Sequence, residues 1–388
     1  MSAQAAITAG VTLFAVIAPK LAADLAVSSA LIGYQVSLAY GTAMVFAALL
    51  SALIPWLGAC RTMQVSLALG VLGLVTTLFS TVTAIAVGSV LLGMGMSVMT
   101  PASSHLLYRF TTPRRRNLIF SLKQTGVPLG GLLPALIAPP VALAFGWQWS
   151  VVLFLAWEIA MVVTLQRARS RWDDDRNPRM RLTGGIFHGV ATVWRHLPLR
   201  WLATGAFCFA FVQLSLTSFA VTMLVEESGY GLIAAGLIFS LIQISGGVAR
   251  VFWGWLADRS GQATALLIVI SSVTIASCIA TATMTTDWPL AAVCATFAVF
   301  GASAVGWNGV FLAEFAKLSP RGAAGVATGG AMVWNFGGIM AGPAVFATAY
   351  HFVGSYHLTF WMLAVVAAAG LVCVVHARRI IGRPAAAG

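Results

Sequence analysis

The sequence predicts an all-α membrane protein that crosses the bilayer twelve times, and three observations carry this prediction. Hydrophobic residues make up 60% of the 388 residues and charged residues only 8%, which is too little polar surface to cover a water-soluble globule. Apolar runs long enough to cross a hydrocarbon core of about 30 Å recur along the whole chain. Nineteen of the 22 Lys and Arg residues lie in alternate connections or in the C-terminal tail, which is the pattern of cytoplasmic loops.

The spans follow from the apolar runs between polar breaks. An even number of spans returns both termini to one side, and the basic connections place that side in the cytoplasm. We therefore expect a multi-pass protein of the cell inner membrane, and we interpret the net charge of +12 as a sign of orientation, with no nucleic-acid partner. The predicted spans are 3–22, 32–55, 63–83, 85–108, 117–138, 147–167, 198–225, 231–256, 262–284, 288–314, 322–349 and 355–377.

The long polar stretch 168–197 divides the predicted spans six and six. We expect it to be a cytoplasmic linker between an N-terminal bundle, residues 1–167, and a C-terminal bundle, residues 198–388. Its portion from Ile186 to Trp194 is amphipathic and fits either a helix on the membrane surface or a solvated loop.

The two halves of the chain also repeat each other. Pro113-Arg114 and Gly130-Gly131 recur 207 residues later as Pro320-Arg321 and Gly337-Gly338. Internal duplication of this kind is typical of transporters, which hold their substrate near the bilayer midplane where the halves meet.

One apolar run ends in a polar turn, residues 254–262, with the sequence GWLADRSGQ. This turn resembles the loop signature of the major facilitator superfamily, and the resemblance extends to the twelve spans, the basic linker and the duplicated halves. It implies two pseudo-symmetric six-helix bundles that carry a small molecule by alternating access. In the first half the corresponding stretch, Leu57 to Thr62, departs from the family pattern because it lacks the aspartate.

The spacing from Arg250 to Asp258 is similar to the eighth helix of the oxalate/formate exchanger and monocarboxylate transporter families. There the equivalent arginine binds the substrate carboxylate, and the resemblance implies the same role for Arg250. The spacing also occurs in superfamily members with other substrates.

Two cations, Arg250 and Lys123, lie within predicted spans. Counting back from Asp258 and in from Arg116 puts them about 12 and 10 Å above the cytoplasmic edge. In the superfamily's fold these two helices face each other, so a carboxylate held by both cations would relieve their repulsion and favour closure of the bundles. The alternative is that both side chains snorkel to the cytoplasm or bond backbone carbonyls near broken helices.

Polar and aromatic residues within the spans complete the candidate substrate site. Gln243 shares the helical face of Arg250, and buried amides need partners that a cavity provides. For each candidate a structural hydrogen bond between helices is the alternative. The further candidates are Gln124, Gln213, Tyr34, Tyr40, Trp307, Asn308, Trp334 and Asn335.

Asp258, Arg259, Glu314 and Lys317 form a candidate gate at the cytoplasmic ends of the spans. We expect a latch in which Asp258 pairs with the neighbouring basic residues and Glu314 joins the cluster, holding the outward-facing state. Ordinary solvation of the loop is the alternative. Glu158 lies midway along a peripheral span, where a structural partner is favoured over proton transfer.

The five cysteines and six histidines show no paired or metal-ligand spacing, and no nucleotide-binding or nucleophile motif occurs. We therefore expect no enzymatic chemistry, cofactor or metal. The sequence predicts a monomeric secondary transporter of small organic anions, with uniport, exchange and proton symport all open. A drug or metabolite exporter is the alternative, because Gly126 to Gly131 partly resembles an antiporter motif, and a membrane receptor that binds without transporting is a third hypothesis.

Overall fold

The computed structural model describes residues 1–50, 53–110, 123, 125–177, 186–319 and 324–381. These residues are almost entirely helical and contain no strand. The helices are α1 (Ser2–Val16), α2 (Ala18–Leu25), α3 (Leu31–Leu50), α4 (Leu53–Leu57), α5 (Ala59–Thr77), α6 (Val82–Phe110), α7 (Gly126–Phe145), α8 (Trp147–Trp172), α9 (Ile186–Arg195), α10 (Leu197–Glu226), α11 (Leu232–Ser260), α12 (Ala263–Ala282), α13 (Leu290–Ala304), α14 (Asn308–Leu318), α15 (Ala324–Val353) and α16 (Tyr356–Ile381).

The predicted all-α membrane fold is confirmed. Ten helical stretches of the described chain are long and apolar enough to cross a membrane, and α1 and α2 pass the same test only when taken together, with a bend of 61° between them. Leu31–Phe46, within α3, is a shorter apolar helix and corresponds to the predicted span 32–55. The tenth predicted span, 288–314, is broken between α13 and α14. The span predicted at 117–138 corresponds to α7, and residues 117–122 lie outside the described chain.

The helices cluster into two compact units, and α10 and α11 each contribute residues to both. The bundle boundaries that we drew from the sequence, at 167 and 198, stay a prediction. Unit 1 consists of Met1–Thr183, Ala220–Glu226 and Tyr230–Ser240, and unit 2 consists of Gly184–Phe219, Glu227–Gly229 and Leu241–Gly388.

Within unit 1, α1 is the most enclosed helix, with nearly all of its residues buried against α7, α8 and α6. Helices α5 and α6 approach each other through a reciprocal pair of glycines. A Cβ atom added at Gly73 would lie 2.8 Å from the Gly88 carbonyl, and one added at Gly88 would lie 2.7 Å from the Gly73 carbonyl. Small residues at such crossings let the helix backbones pack closely in a membrane.

Within unit 2, the amphipathic stretch of the linker is the helix α9, which packs against α15. The Trp194 ring of α9 stacks on the Trp334 ring of α15, with centroids 6.2 Å apart and planes inclined by 19°. The Arg200 guanidinium lies 5.3 Å from the Trp194 ring centroid. The solvated-loop interpretation of this stretch is therefore wrong.

Candidate functional site

Arg250 lies on α11, ten residues before its end at Ser260, and its side chain is partly buried. Its Nε donates a hydrogen bond of 3.0 Å to the backbone carbonyl of Val305. In the described part of the chain, no carboxylate lies within 4 Å of the guanidinium. A guanidinium has five N–H donors, so Arg250 retains four after this bond.

The partner of Arg250 lies at the break between α13 and α14. Regular helical bonding stops at Ala304 and resumes at Asn308, so the carbonyls at the break need donors from elsewhere. Helix α11 supplies two of them: Trp253 Nε1 donates to the Ala302 carbonyl at 2.9 Å, and Arg250 donates to Val305. Because α13 ends and α14 starts here, the region combines carbonyls with negative partial charge and first-turn N–H groups with positive partial charge.

Close contact between α11 and the break is possible because the facing residues are glycines. A Cβ atom added at Gly246 would lie 2.6 Å from Val305 Cβ, and one added at Gly306 would lie 2.9 Å from Ala249 Cβ. These distances are shorter than carbon atoms tolerate, so glycine at both positions lets Arg250 reach the broken helix.

Three of the other predicted residues meet at the same break. The Gln213 side-chain oxygen accepts hydrogen bonds from Trp307 Nε1 at 2.9 Å and from Asn308 Nδ2 at 3.2 Å. The Trp307 ring is fully buried and packs against Phe209 and Phe311. The structure thus gathers Arg250, Gln213, Trp307 and Asn308 around 305–308, although the Gln213 oxygen is occupied by protein donors.

The remaining candidates of unit 2 differ in their surroundings. Gln243 is buried on α11, two turns before Arg250. The Asn335 side-chain oxygen is buried without a hydrogen-bond partner among the described residues. Trp334 takes part in the stacking contact with α9 described above, and its role in substrate binding stays a prediction.

Lys123 belongs to unit 1 and is only 4% exposed. Its Nζ donates to the Thr100 carbonyl and to Ser104 Oγ, each at 3.2 Å, and Thr100 Oγ1 donates to Gln4 Oε1 at 3.1 Å. No acid of the described chain forms an ion pair with Lys123. Because Lys123 and Arg250 lie in different units, their joint binding of one substrate stays a prediction.

Sequence analysis did not single out Gln4, Thr100 and Ser104, which complete this polar cluster. The sequence contained a weak indication of this cluster, since Thr100 and Ser104 are one turn apart on α6 and therefore share a helical face. Gln4 gave none, because its contact with Thr100 joins residues 96 positions apart.

One of the two aromatic candidates of α3 lines an apolar cavity. Tyr34 is 44% exposed and lines a cavity of about 170 Å³ with Phe14, Leu21 and Ile85, whereas Tyr40 is partly buried. Gln124 lies outside the described residues. The substrate contacts proposed for these three residues stay predictions.

Two residues of the candidate gate, both on α14, form an ion pair with each other. Lys317 Nζ lies 3.7 Å from Glu314 Oε2, and the Arg259 guanidinium lies 5.6 Å from the Trp255 ring centroid. Asp258 is exposed and makes no ion pair within 4 Å in the described part of the chain. Residues 320–323, which include Arg321, lie outside that part, so the latch between helices stays a prediction.

In unit 1 an acid from the end of α8 caps the start of α5. Asp173 accepts hydrogen bonds from the N–H groups of Cys60 at 2.7 Å and Arg61 at 3.0 Å. The preceding Gly58 has φ of +95°, and a Cβ atom there would lie 2.4 Å from Asp173 Cγ. The first-half loop that lacks an aspartate therefore receives one from a position 113 residues away.

The next two acids connect α8 to the end of α6. Asp174 and Asp175 both form ion pairs with Arg109, and Asp175 also lies 2.7 Å from His105 Nε2. The hydrogen bond from Arg109 holds the pKa of Asp174 below its usual value. The run 173–175 thus joins the ends of three helices, a role that sequence analysis missed by placing it in the linker.

Glu158 is fully buried on α8, and neither of its carboxylate oxygens has a hydrogen-bond partner among the described residues. Space for the carboxyl group comes from two glycines. Added Cβ atoms would lie 3.0 Å from Oε1 at Gly10 and 2.3 Å from Oε2 at Gly70. The structural partner expected from the sequence is not found in the described chain.

Comparison with known proteins identifies the family to which this architecture belongs. The family model of the Major Facilitator Superfamily matches residues 1–343. Two uncharacterized MFS-type transporters of Mycobacterium tuberculosis, from strains H37Rv and CDC 1551, are each 25% identical over 171 residues. Those alignments cover 44% of this chain and 37% of each relative, so the match spans just over a third of the relatives' length.

Solved structures share the fold at low sequence identity. A mutant of the peptide transporter POT superimposes with a TM-score of 0.79 and 12% identity, over 98% of this chain and 93% of the transporter. A bacterial homologue of the human lysosomal transporter Spinster, inward-facing and unoccupied, gives 0.76 and 15% over 99% and 97%. This chain therefore belongs to the major facilitator superfamily, whose members are secondary transporters and not enzymes.

Proposed function

We propose that this protein transports small organic anions, carboxylates in particular, across the inner membrane by alternating access of its two predicted bundles. Both termini and the linker 168–197 lie in the cytoplasm in this proposal, and the protein acts as a monomer. The observation that carries the proposal is the guanidinium of Arg250 inside a candidate membrane span, which forms no ion pair with the residues that the structure describes.

A charge in that position is costly without a partner. Placing an arginine at the centre of a membrane helix costs roughly 2.5–3.5 kcal/mol on insertion scales. Among the described residues, one hydrogen bond to the Val305 carbonyl leaves most of the donors and the whole positive charge of Arg250 uncompensated. A bound anion would supply the missing charge, and this favours an anionic substrate over a cationic one.

The bond to Val305 also favours a carboxylate. With Nε committed to the protein, the guanidinium plane is fixed and the two terminal nitrogens remain for a bidentate interaction. The start of α14 adds first-turn N–H groups whose partial charge attracts anions. Asn308 and Gln243 are then candidates for contacts with the rest of the substrate.

Lys123 provides a second cation of the same kind in unit 1. It is held by neutral oxygens of Thr100 and Ser104, so it too lacks a counter-charge in the described chain. An anion bound by a cation from each bundle would favour their closure. Because the anion is charged, its transport would be coupled to the counter-transport of another anion or to the co-transport of a proton.

Counterflow in proteoliposomes tests the proposal with labelled lactate, oxalate and succinate, against the corresponding amides as uncharged competitors. We expect uptake that the acids inhibit and the amides do not. Arg250→Gln should abolish counterflow, and Arg250→Lys should lower it strongly because an ammonium lacks the planar fork. Arg195→Gln, at an exposed position of α9, is the matched control.

The proposal is wrong if folded Arg250→Gln protein exchanges the acids at the wild-type rate. Equal inhibition by acids and amides would also overturn it, because the site would then not recognise charge.

A further inference from the structure

A groove of about 550 Å³ lies where α5 begins and α8 ends in unit 1. Its volume falls in the range of small-molecule sites. It has a polar mouth and an apolar interior, and both helices contribute to each part. The residues that matter are Arg61, Gln64 and Val65 from α5, and Val162, Val163 and Arg167 from α8.

The mouth of the groove is built around Gln64, which is only 5% exposed. Its Nε2 donates to the Val162 carbonyl and to Gln166 Oε1, each at 3.0 Å, and so joins the two helices. Its Oε1 accepts a 3.1 Å hydrogen bond from Arg61 Nη1. Because Gln64 is fixed at both ends of its amide, the guanidinium of Arg61 is held at the mouth.

The two arginines of the mouth have no acidic partner within 4 Å among the described residues. The nearby acids are engaged elsewhere. Asp173 binds the backbone N–H groups of Cys60 and Arg61, and Asp174 and Asp175 pair with Arg109. Arg61 and Arg167 therefore present two positive charges to whatever enters the groove.

The interior of the groove is apolar and faces outward. Val65 follows Arg61 by four residues and Val163 precedes Arg167 by four, so each valine lies one turn, about 6 Å, deeper on the same helical face. Val163 is 59% exposed. Other large apolar residues of α8, such as Leu153 and Ile159, are also exposed, to a lesser degree. In a membrane span this exposed apolar face contacts lipid chains.

We propose that the groove binds one anionic phospholipid of the surrounding membrane. Its phosphate lies between Arg61 and Arg167, and an acyl chain follows Val65 and Val163 into the bilayer. Arginines bind phosphate oxygens bidentately, and basic pockets between membrane helices recognise anionic headgroups. A free phosphate would match only the mouth, whereas a phospholipid matches both parts of the groove.

Binding of the lipid would fasten α5 to α8 at the end of unit 1 where Asp173 already caps α5. We therefore expect an anionic lipid to raise the thermal stability of the purified full chain. The inference does not depend on the nature of the transported substrate.

The test uses the full chain, stripped of lipid in a neutral detergent, with native mass spectrometry and thermal unfolding as readouts. We expect dioleoyl phosphatidylglycerol to bind and to raise the apparent Tm, and phosphatidylcholine to do so much less. Each arginine near an anionic surface contributes roughly a fivefold factor. Arg61→Gln with Arg167→Gln should thus weaken binding by about 25-fold.

Three controls separate the lipid from its alternatives. Arg195→Gln removes an exposed arginine far from the groove in sequence and should leave lipid binding unchanged. Val163→Glu should weaken lipid binding without removing either arginine. Arg167→Gln alone, at an exposed side chain without a hydrogen bond among the described residues, covers the case in which the double variant does not fold, with about fivefold weaker binding expected.

The proposal is overturned if inorganic phosphate raises the Tm as much as phosphatidylglycerol does, because the apolar half of the groove would then contribute nothing. It is also overturned if Arg167→Gln and Arg195→Gln bind the lipid equally. Any weakening would then come from the lower net charge of the protein and not from the groove.

Discussion

Asp173→Ala removes the carboxylate that caps α5, and the structure allows its cost to be worked out. Two hydrogen bonds are lost, from the N–H groups of Cys60 and Arg61. Cys60 is completely buried and Asp173 is 7% exposed, so water replaces these bonds poorly. Loss of an N-cap side chain costs about 0.5–2 kcal/mol, and loss of a negative charge at a helix N-terminus costs about 0.3–1 kcal/mol more.

We therefore expect the free energy of unfolding of unit 1 to fall by about 1–3 kcal/mol. For domains of 150–250 residues this corresponds to a fall in apparent Tm of roughly 2–12 °C. Asp173→Asn should lose about half as much, because an amide retains one acceptor oxygen but no charge. The apparent Tm of wild type, Asp173→Ala and Asp173→Asn can be measured on the purified proteins from the loss of the monodisperse size-exclusion peak after heating.

Asp174→Ala is the matched control for Asp173→Ala. It removes the same charge from the neighbouring position, but its side chain is 56% exposed, and exposed ion pairs contribute little. If Asp174→Ala lowers the Tm as much as Asp173→Ala, the capping interpretation is refuted and the run 173–175 acts through its total charge.

Other substitutions in unit 1 and unit 2 test further contacts. Glu158→Met should raise the apparent Tm, because it replaces an unpartnered buried carboxyl by an apolar side chain of similar volume; an unchanged or lower Tm would indicate a partner. Gly70→Ala should destabilise the protein by about 1–3 kcal/mol through overpacking against Glu158 and Ile7; an unchanged Tm would contradict this packing. Trp253→Phe should lower the Tm by leaving the Ala302 carbonyl without its indole donor, at about 1–3 kcal/mol. The contribution of the Asp174 ion pair should be fully present above the ordinary pKa of 3.8 and lost as the pH falls through the lowered pKa of the folded state, which comparison of wild type and Asp174→Ala by thermal unfolding would show.

The sequence predicted the spans well because span formation depends on local properties. Runs of apolar residues and the distribution of arginines are read within windows of about 20 residues. The break at 305–307 escaped prediction for the opposite reason. The run 288–314 is apolar enough for a span although it contains Asn308 and Glu314, and its interruption is stabilised by a pair of donors on α11, about 50 residues earlier.

The same distinction applies to the candidate site. That Gln243 and Arg250 lie on one helix two turns apart follows from their spacing alone. The meeting of Gln213 with Trp307 and Asn308, and of Gln4 with Thr100, depends on which helices become neighbours. The role of Asp173 was missed because the family signature places an aspartate within the loop before α5. The start of α5 requires only an acceptor for its free N–H groups, and this acceptor can come from elsewhere in the chain.

The geometry at Arg250 joins two interpretations that the sequence presented as alternatives. One assigned the side chain to a substrate carboxylate and the other to backbone carbonyls near a broken helix. Its Nε does bond such a carbonyl, on Val305, but this bond uses one donor of five. Anchoring at Nε prevents the long side chain from snorkelling and orients its terminal nitrogens, which lowers the entropy lost on binding a ligand. In the function that we propose, the broken helix would thus prepare the arginine for an anion. Gly246→Ala, which leaves the Val305 carbonyl in place but puts a Cβ atom 2.6 Å from Val305 Cβ and so loosens the anchor, should consequently lower affinity for carboxylates more than it changes selectivity between acids and amides. Loss of that selectivity in counterflow would show that the carbonyl is a competitor of the substrate and not a support for its ligand.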